Sequence, residues 1–371
     1  MIDFRYHLVS IVAVFLALAI GIVLGSTELQ GPTYNLLNQT TGKLQTDLNQ
    51  VTGERNTAQA QANLGESYAQ AVEPVVLHDL LAGQRLLIVT EPGASTSVVS
   101  GIVDAATQFA GATITGEIAL QPRFFDTSDT TQDYLNQTNL VLARADGIAL
   151  ETGTTYQQQA AHIIASEILI KAPGSRSAQG SASPSASGQP SASPQASTGF
   201  SAGVGTGSDT NAATMLTAYA NSGFLTTSGQ PAVQATLAVI VTPQTAPSDG
   251  SADPLDQMLV PLAEELAANS SATVVAGSSA GSGPGSPIAV LRSSNVANQV
   301  STVDDADFVS GQSVVIQALA VLLEGGKPGS YGTTSNGAST VAPSPAPTAS
   351  PSPTASPSVT ASPSGPKKGK K

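Results

Sequence analysis

The chain has 371 residues, which is room for one or two domains, and it is 40% hydrophobic but only 11% charged. With 35 glycines and 24 prolines, much of it is not ordinary globular sequence. The formal net charge of −12 leaves no electrostatic footprint for nucleic acid. The absence of cysteine from the sequence excludes disulfide bonds, thiolate catalysis and thiolate metal sites.

An uncharged apolar run from Leu8 to Leu24 dominates the N-terminus. At a rise of about 1.5 Å per residue, a helix of this length reaches roughly 26 Å, close to the hydrocarbon thickness of a thin bilayer. The run is apolar on all sides rather than striped, which disfavours a core helix of a soluble protein. We therefore predict a cytoplasmic stub at residues 1–7 and a transmembrane anchor at residues 8–26.

A cleavable signal peptide is the alternative interpretation of this run. Its hydrophobic region usually has only about 7 to 15 residues, but Val23-Leu24-Gly25 resembles a small-residue cleavage site, so the alternative stays open. Arg5 before the run and Glu28 after it favour an N-terminus in the cytoplasm. Both interpretations predict that the bulk of the chain is extracytoplasmic.

Residues 33–73 carry the heptad pattern of a coiled-coil stalk. Steps of three and four residues from Tyr34 give one continuous register as far as Val72. The apolar centre of this register is the predicted seam for a partner helix, formed by Leu37, Leu44, Leu48 and Val51. Pro74 is predicted to end the helix, because proline lacks the N–H that the next turn would use.

This helix is predicted to be marginal on its own. Gly42, Gly53 and Gly65 each cost about 1 kcal/mol relative to alanine in a helix interior. The helix therefore needs a partner, either a second copy of the chain or another coiled-coil protein. A single amphipathic helix that lies on its own domain is the alternative.

Residues 75–331 alternate between strand-like and helical patterns, which predicts one α/β domain with a mainly parallel sheet; two small lobes are the alternative. The predicted strands are Arg85–Thr90, Thr113–Leu120, Leu140–Ala143, Ala235–Thr242, Thr273–Ala276 and Val300–Val303. The predicted helices are Ser97–Ala110, Thr155–Leu169, Asn211–Ala220, Pro254–Ala268 and Gly311–Leu323. Ile288–Arg292 is predicted to be a helix or a turn.

Two stretches have a composition that is typical of disorder. Residues 174–208 are almost wholly Ser, Ala, Gly, Pro and Gln, so they cannot bury enough apolar surface to fold. Residues 332–371 are rich in proline and serine and end in Lys367, Lys368, Lys370 and Lys371. We predict a disordered insertion in the α/β domain and a disordered tail with solvated lysines.

The sequence lacks the familiar motifs of catalysis and phosphate binding. Glu91–Ser95 joins a strand to a helix, but it is not G-x-G-x-x-G, and Glu91 would repel a phosphate. Neither a Walker sequence nor a G-x-S-x-G elbow occurs. His78 and His162 belong to no recognisable motif, and we interpret His162 as a semi-buried structural residue. We predict no enzymatic activity, no catalytic residue and no cofactor.

The densest acidic cluster consists of Asp304, Asp305 and Asp307. Carboxylates suit hard cations such as Ca²⁺ or Mg²⁺, but the spacing of an EF-hand is absent. The simpler interpretation is a helix N-terminus, where acidic side chains offset the helix dipole. Soft ligands for copper are scarce, since Met215 and Met258 lie far apart in the sequence. The sequence by itself assigns no metal ligands.

Two segments of the chain resemble a known family. His7–Ser26 is similar to the N-terminus of the mycobacterial copper transport protein B (MctB) family of actinobacterial envelope proteins. The order of stalk, α/β region and last helix is similar too. So is the motif that opens this helix, which contains Ser301, Thr302, Val303, Asp304, Gly311 and Gln312. The resemblance covers residues 5–335 apart from the insertion, and the two segments are specific when taken together.

The resemblance implies an actinobacterial envelope protein, described as pore-forming, with a role in copper efflux or copper homeostasis. The apolar run at the N-terminus predicts that it passes once through the cell membrane. Copper enters the interpretation only through this resemblance. One apolar helix cannot enclose a pore, so a channel would need several chains. SteB-like envelope proteins share the architecture and pair through coiled coils to control cell-wall hydrolysis. They supply the alternative, a coiled-coil scaffold or regulator that recruits an envelope partner and has no transport activity of its own. The expected partners are the membrane and either a second copy or a coiled-coil protein.

Overall fold

The structure is a computed structural model that describes residues 4–28, 30–171, 208–245, 254–332 and 338–344. The chain divides into two compact units, Met1–Ala69 and Gln70–Lys371. Nearly all of the predicted insertion at residues 174–208 and most of the predicted tail at residues 332–371 lie outside the described residues.

The first unit begins with helix α1, Phe4–Glu28. Its segment Arg5–Gly25 is long and apolar enough to cross a membrane, with a mean hydropathy of 2.9. The large apolar side chains from Leu8 to Leu24 are all more than half exposed in the single chain. A helix satisfies its own backbone hydrogen bonds, which is what lipid requires of a spanning segment. The prediction of an apolar N-terminal helix is confirmed.

Helix α2 runs from Gln30 to Val76 and includes the helix predicted at residues 33–73. It continues for two residues past Pro74, so the prediction that Pro74 ends the helix is wrong. The turn persists because the Leu77 amide donates to the Glu73 carbonyl at 2.9 Å and Leu77 is fully buried. Proline removes only its own donor, and the neighbouring bonds hold the last turn.

The second unit is built on a seven-stranded sheet with the order β3-β2-β1-β4-β5-β6-β7. The strands are β1 Arg85–Thr90, β2 Thr113–Leu120, β3 Leu225–Gly229, β4 Leu237–Val241, β5 Ala272–Ala276, β6 Ser301–Val303 and β7 Ser330–Tyr331. All neighbouring pairs are parallel except β2 and β3. The predicted α/β class with a mainly parallel sheet is confirmed. Strands from both sides of residues 174–208 join this one sheet, so the alternative of two lobes is wrong.

Helices cover both faces of the sheet. They are α3 Thr96–Asp104, α4 Asp129–Asp146, α5 Tyr156–Ile168, α6 Ser208–Asn221, α7 Pro254–Asn269, α8 Pro287–Ser293 and α9 Val309–Leu323. Short helical segments occupy Ala105–Phe109, Pro122–Phe125, Ser279–Gly281 and Asn295–Asn298. Alternate residues of β1 enter different cores. Leu87 and Val89 belong to the core that includes residues of helices α4 to α8, and Leu86 and Ile88 belong to the core that includes residues of α3 and α9. Strands buried on both faces explain why β1, β4 and β5 are continuous apolar runs.

The predicted strand Leu140–Ala143 is wrong, because these residues belong to α4. Leu135 and Leu142 are buried, whereas Leu140 and Val141 are exposed, which is the spacing of a helix with one inward face. Strand β3 was not predicted. Its residues after Leu225 are polar and exposed, as is usual for an edge strand, so it has no apolar run to reveal it.

The strand order reverses between β1 and β4. In doubly wound sheets of this kind, ligands bind outside the carboxyl ends of the strands at such a reversal. The loop Glu91–Ser95 leaves β1 at this edge, and the Glu91 amide donates to the carbonyl of Val241 at the end of β4 (3.0 Å). The loop after β1 is therefore a candidate position for a ligand site.

A buried polar pair links α4 to α6. The Tyr219 hydroxyl donates to Asn139 Oδ1 at 2.8 Å, and Asn139 Nδ2 donates to the Tyr156 carbonyl at 2.8 Å. Tyr219 and Asn139 are fully buried, and burial raises the pKa of the Tyr219 hydroxyl. The phenol therefore remains a donor at every ordinary pH.

We predict that Tyr219→Phe lowers the free energy of unfolding by about 1–3 kcal/mol, because it leaves the buried Asn139 Oδ1 without this donor. Urea unfolding of the detergent-solubilised chain measures the change. Tyr134→Phe is the matched control, since the Tyr134 side chain is 44% exposed and its change is expected to stay within about 0.5 kcal/mol. Equal stability of the two variants would contradict the prediction.

Candidate functional site

The motif that carries the family resemblance lies at the carboxyl end of β6 and the start of α9. Strand β6 consists of Ser301, Thr302 and Val303. Asp304 follows the strand directly, and Gly311 and Gln312 lie in the first turn of α9. All of these residues except Gln312 are buried, so the motif is an interior feature rather than an open surface.

Arg292 of α8 organises this motif. Its Nε donates to Thr302 Oγ1 at 2.8 Å, its Nη1 to Asp304 Oδ2 at 2.6 Å, and its Nη2 to the carbonyl of Tyr331 at 2.8 Å. The side chains of Arg292 and Asp304 are 5% and 0% exposed. This is a buried, charge-assisted pair that joins α8 to β6 and β7. Sequence analysis did not identify Arg292, because nothing in its local pattern marks it.

Three other motif residues, Ser301, Gly311 and Gln312, make backbone contacts near the Arg292–Asp304 pair. Ser301 Oγ accepts from the Gly329 amide at 3.1 Å, and Gln312 Nε2 donates to the Ala306 carbonyl at 3.1 Å. Gly311 lies so close to the Asp305 carbonyl that any Cβ would collide with it. These contacts give the motif an architectural role, because the first ties β6 to the start of β7 and the other two fix the turn between β6 and α9.

The acidic cluster does not form the first turn of a helix, so that interpretation is wrong. Helix α9 begins at Val309 and has no acidic residue in its first turn. Asp304 instead binds Arg292. The Asp307 carboxylate accepts from the Ser279 amide and hydroxyl, both at 2.8 Å. Tertiary partners, which sequence spacing does not show, therefore explain Asp304 and Asp307.

The predicted coiled-coil seam lies on α2. Its four members are 55–63% exposed in the single chain: Leu37, Leu44, Leu48 and Val51. They follow one another at helical spacing along one face. An exposed apolar stripe of this kind suits a partner helix, and the pairing itself stays a prediction.

His78 and His162 each lie beside a different carboxylate. His162 Nδ1 is 2.8 Å from Glu265 Oε2, and its side chain is 35% exposed, so the prediction that it is semi-buried is confirmed. His78 Nδ1 is 3.3 Å from Asp79 Oδ2, and both side chains are largely exposed. Across the described ranges, no three or more His, Asp or Glu side chains are grouped so that they could hold a metal ion.

A cleft of about 630 Å³ opens beside the loop after β1. Glu91 of this loop and Glu117 of β2 both line it, and Thr90 Oγ1 donates to Glu117 Oε1 at 3.1 Å. In the sequence, Glu91–Ser95 was interpreted only as a possible phosphate loop. The cleft is not apparent there, because Glu117 comes from the middle of the next strand. The carboxylate on an otherwise uncharged strand was the signal that would have indicated it.

These observations define the class as an α/β protein with an N-terminal helix able to cross a membrane. The chain belongs to the MctB family, described as "Copper transport outer membrane protein, MctB", whose family model matches residues 1–343. The resemblance seen in the sequence is thereby confirmed.

Three proteins named "Copper transporter MctB" show the same relation. Those of Mycobacterium tuberculosis (strain ATCC 25618 / H37Rv) and Mycobacterium bovis are 27% identical to the chain over 344 residues, which is 92% of this chain and 99% of theirs. That of Mycobacterium leprae (strain TN) is 26% identical over 349 residues, 92% of this chain and 100% of its own. The similarity therefore extends over nearly the full length of each relative.

We predict that Arg292→Met lowers the free energy of unfolding by about 3–5 kcal/mol, because it leaves the Asp304 carboxylate buried without its cation. The double variant R292M–D304L should recover a large part of this loss, since it replaces the pair with apolar groups. Urea unfolding followed by tyrosine fluorescence measures both, as the sequence has no tryptophan. Arg144→Met at an exposed position of α4 is the control. An unchanged stability of R292M would contradict the prediction.

Proposed function

We propose that the protein is a membrane-anchored envelope protein that contributes to copper efflux or copper homeostasis. The observation that carries this proposal is the family match over residues 1–343, a range that includes the apolar helix and the last helix of the α/β unit. Relatives named copper transporters correspond to this chain over nearly their whole length. Copper is the transported substrate in this proposal and not a resident cofactor.

The proposed topology is a single pass through the cell membrane with a cytoplasmic N-terminus. The support is the length and composition of α1, together with Arg5 before the apolar run and Glu28 after it. The bulk of the chain is then extracytoplasmic. Within the described residues, one helix is long and apolar enough to span a bilayer. Since a single helix cannot enclose a pathway for an ion, we propose that the protein acts in transport as part of an assembly.

The proposed contact of that assembly is the seam on α2. Burying Leu37, Leu44, Leu48 and Val51 against a second helix would remove apolar surface from water and offset the three glycines inside α2. The partner is either a second copy of the chain or another coiled-coil protein. The proposal includes neither nucleic acid nor a resident cofactor, and it includes no enzymatic activity, because the sequence carries no catalytic motif.

The exposed seam also supports a second candidate function. In this alternative, the protein is a coiled-coil scaffold or regulator that recruits an envelope partner, for example to control cell-wall hydrolysis, and it has no transport activity of its own. The two candidates differ in the quantity that deletion of the protein changes. Transport predicts a change in cellular copper, and the scaffold predicts a change in the partner's location or activity.

We predict that deletion of the protein in its native cell raises intracellular copper and copper sensitivity, and that the full-length chain restores both. Elemental analysis of washed cells and growth on graded copper measure the effect. Sensitivity to zinc serves as the control for general envelope damage. Unchanged copper content and copper tolerance would count against the first candidate and favour the scaffold.

We predict that L44D–L48D weakens partner capture at least tenfold, because the seam would then have to bury carboxylates. Cross-linking in intact cells followed by mass spectrometry identifies and quantifies the partner. T46D–N49D is the matched control, since it adds the same charge on the opposite face of α2. Undiminished capture by L44D–L48D would refute the seam. Lost capture with normal copper tolerance would separate pairing from copper homeostasis.

A further inference from the structure

We propose that the cleft after β1 binds a small organic cation, a ligand with an ammonium group on an aliphatic stem. The cleft lies at the carboxyl edge of the sheet, beside the reversal of strand order between β1 and β4. Ligands of doubly wound α/β sheets bind at this edge. Its volume of about 630 Å³ falls within the usual range for small-molecule pockets.

The lining of the cleft selects for positive charge. Glu91 and Glu117 are among its lining residues, and within the described part of the chain this lining includes no lysine, arginine or histidine. Glu117 is half-buried where it lines the cleft, so a ligand that enters meets a carboxylate partly shielded from bulk water, and Glu91, which also lines the cleft, is 5% exposed. The attraction between opposite charges is stronger where water is excluded. An anionic ligand would be repelled there for the same reason.

The walls of the cleft favour an ammonium group on a stem. Val99 and Val103 of α3 and Leu120 at the end of β2 supply apolar surface beside the two carboxylates. Such a wall can pack against a chain of methylene groups. A hydrated metal ion has no apolar surface with which to make this contact. The residues that the structure describes also contain no group of three or more metal-ligating side chains. A cationic head with an aliphatic body therefore fits this lining better than a bare ion does.

The loop that carries Glu91 is held in place from both sides. The Ala94 amide donates to the Glu91 carbonyl at 3.0 Å, and Gly93 between them has a φ of +87°, which glycine adopts without strain. The Glu91 amide is bonded to Val241 of β4, as described above. Thr90 Oγ1 holds Glu117 from the same strand end. The backbone of Glu91 and the carboxylate of Glu117 are thus positioned before a ligand arrives, which lowers the cost of binding.

The test uses the detergent-solubilised full chain and isothermal titration with cadaverine, 1,5-diaminopentane, as the probe. Its neutral counterpart 1,5-pentanediol has the same stem without charge. We expect saturable binding of cadaverine and none of the diol. Glu117→Gln and Glu91→Gln should each weaken cadaverine binding at least tenfold, whereas Glu151→Gln at an exposed position leaves it unchanged.

Three results would overturn the proposal: absence of saturable cadaverine binding, equal binding of the diol, or an effect of Glu151→Gln as large as that of Glu117→Gln. Glu117 is only half-buried, so Glu117→Gln keeps the test valid if the buried Glu91→Gln chain fails to fold. Circular dichroism of each variant establishes that it is folded. The site is independent of the proposed role in copper homeostasis. Failure of cadaverine binding would therefore not contradict the copper proposal, and an unchanged copper phenotype would not contradict the cleft proposal.

Discussion

The ion pair between Arg292 and Asp304 is the interaction on which one half of the sheet depends. Removing a guanidinium and a carboxylate from water costs several kcal/mol each unless their hydrogen bonds are satisfied. Here the guanidinium reaches Thr302, Asp304 and the Tyr331 carbonyl at once. Strands β6 and β7 are three and two residues long, so their own ladder bonds are few. Their place in the sheet therefore relies on this side chain from α8.

The two units of the chain differ in whether their apolar residues are buried within the chain. The α/β unit buries its apolar residues in two internal cores, one on each face of the sheet. Helices α1 and α2 leave theirs exposed, from Leu8 to Leu24 and from Leu37 to Val51. Exposed apolar area costs roughly 25 cal/mol per Å² in water. A lipid environment for α1 and a partner helix for α2 are the expected solutions, and both lie outside the single chain.

Sequence patterns predicted the elements whose environment is local and missed those whose environment is tertiary. Strands β1, β4 and β5 were predictable because burial on both faces makes them continuous apolar runs. The run Leu140–Ala143 was wrongly predicted to be a strand. It belongs to α4, and only Leu142 and Ala143 face the protein core. The motif Ser301–Asp304 was recognised by resemblance, but its partner Arg292 lies on another element, and one sequence contains no signal that pairs them. The cleft was missed because its two carboxylates come from different elements, Glu91 from the loop after β1 and Glu117 from β2.

The carboxyl edge of the sheet thus ends in two contrasting ways. At β6, the acidic side chain of Asp304 is buried against a guanidinium, so this end is closed and architectural. At β1 and β2, Glu91 and Glu117 line an open cleft whose other described lining residues are uncharged. The same fold therefore pairs the carboxylate at β6 with the guanidinium of Arg292 and leaves room at β1 and β2 for a cationic ligand. This contrast, rather than the number of acidic residues, is the physical reason to look for a ligand at β1.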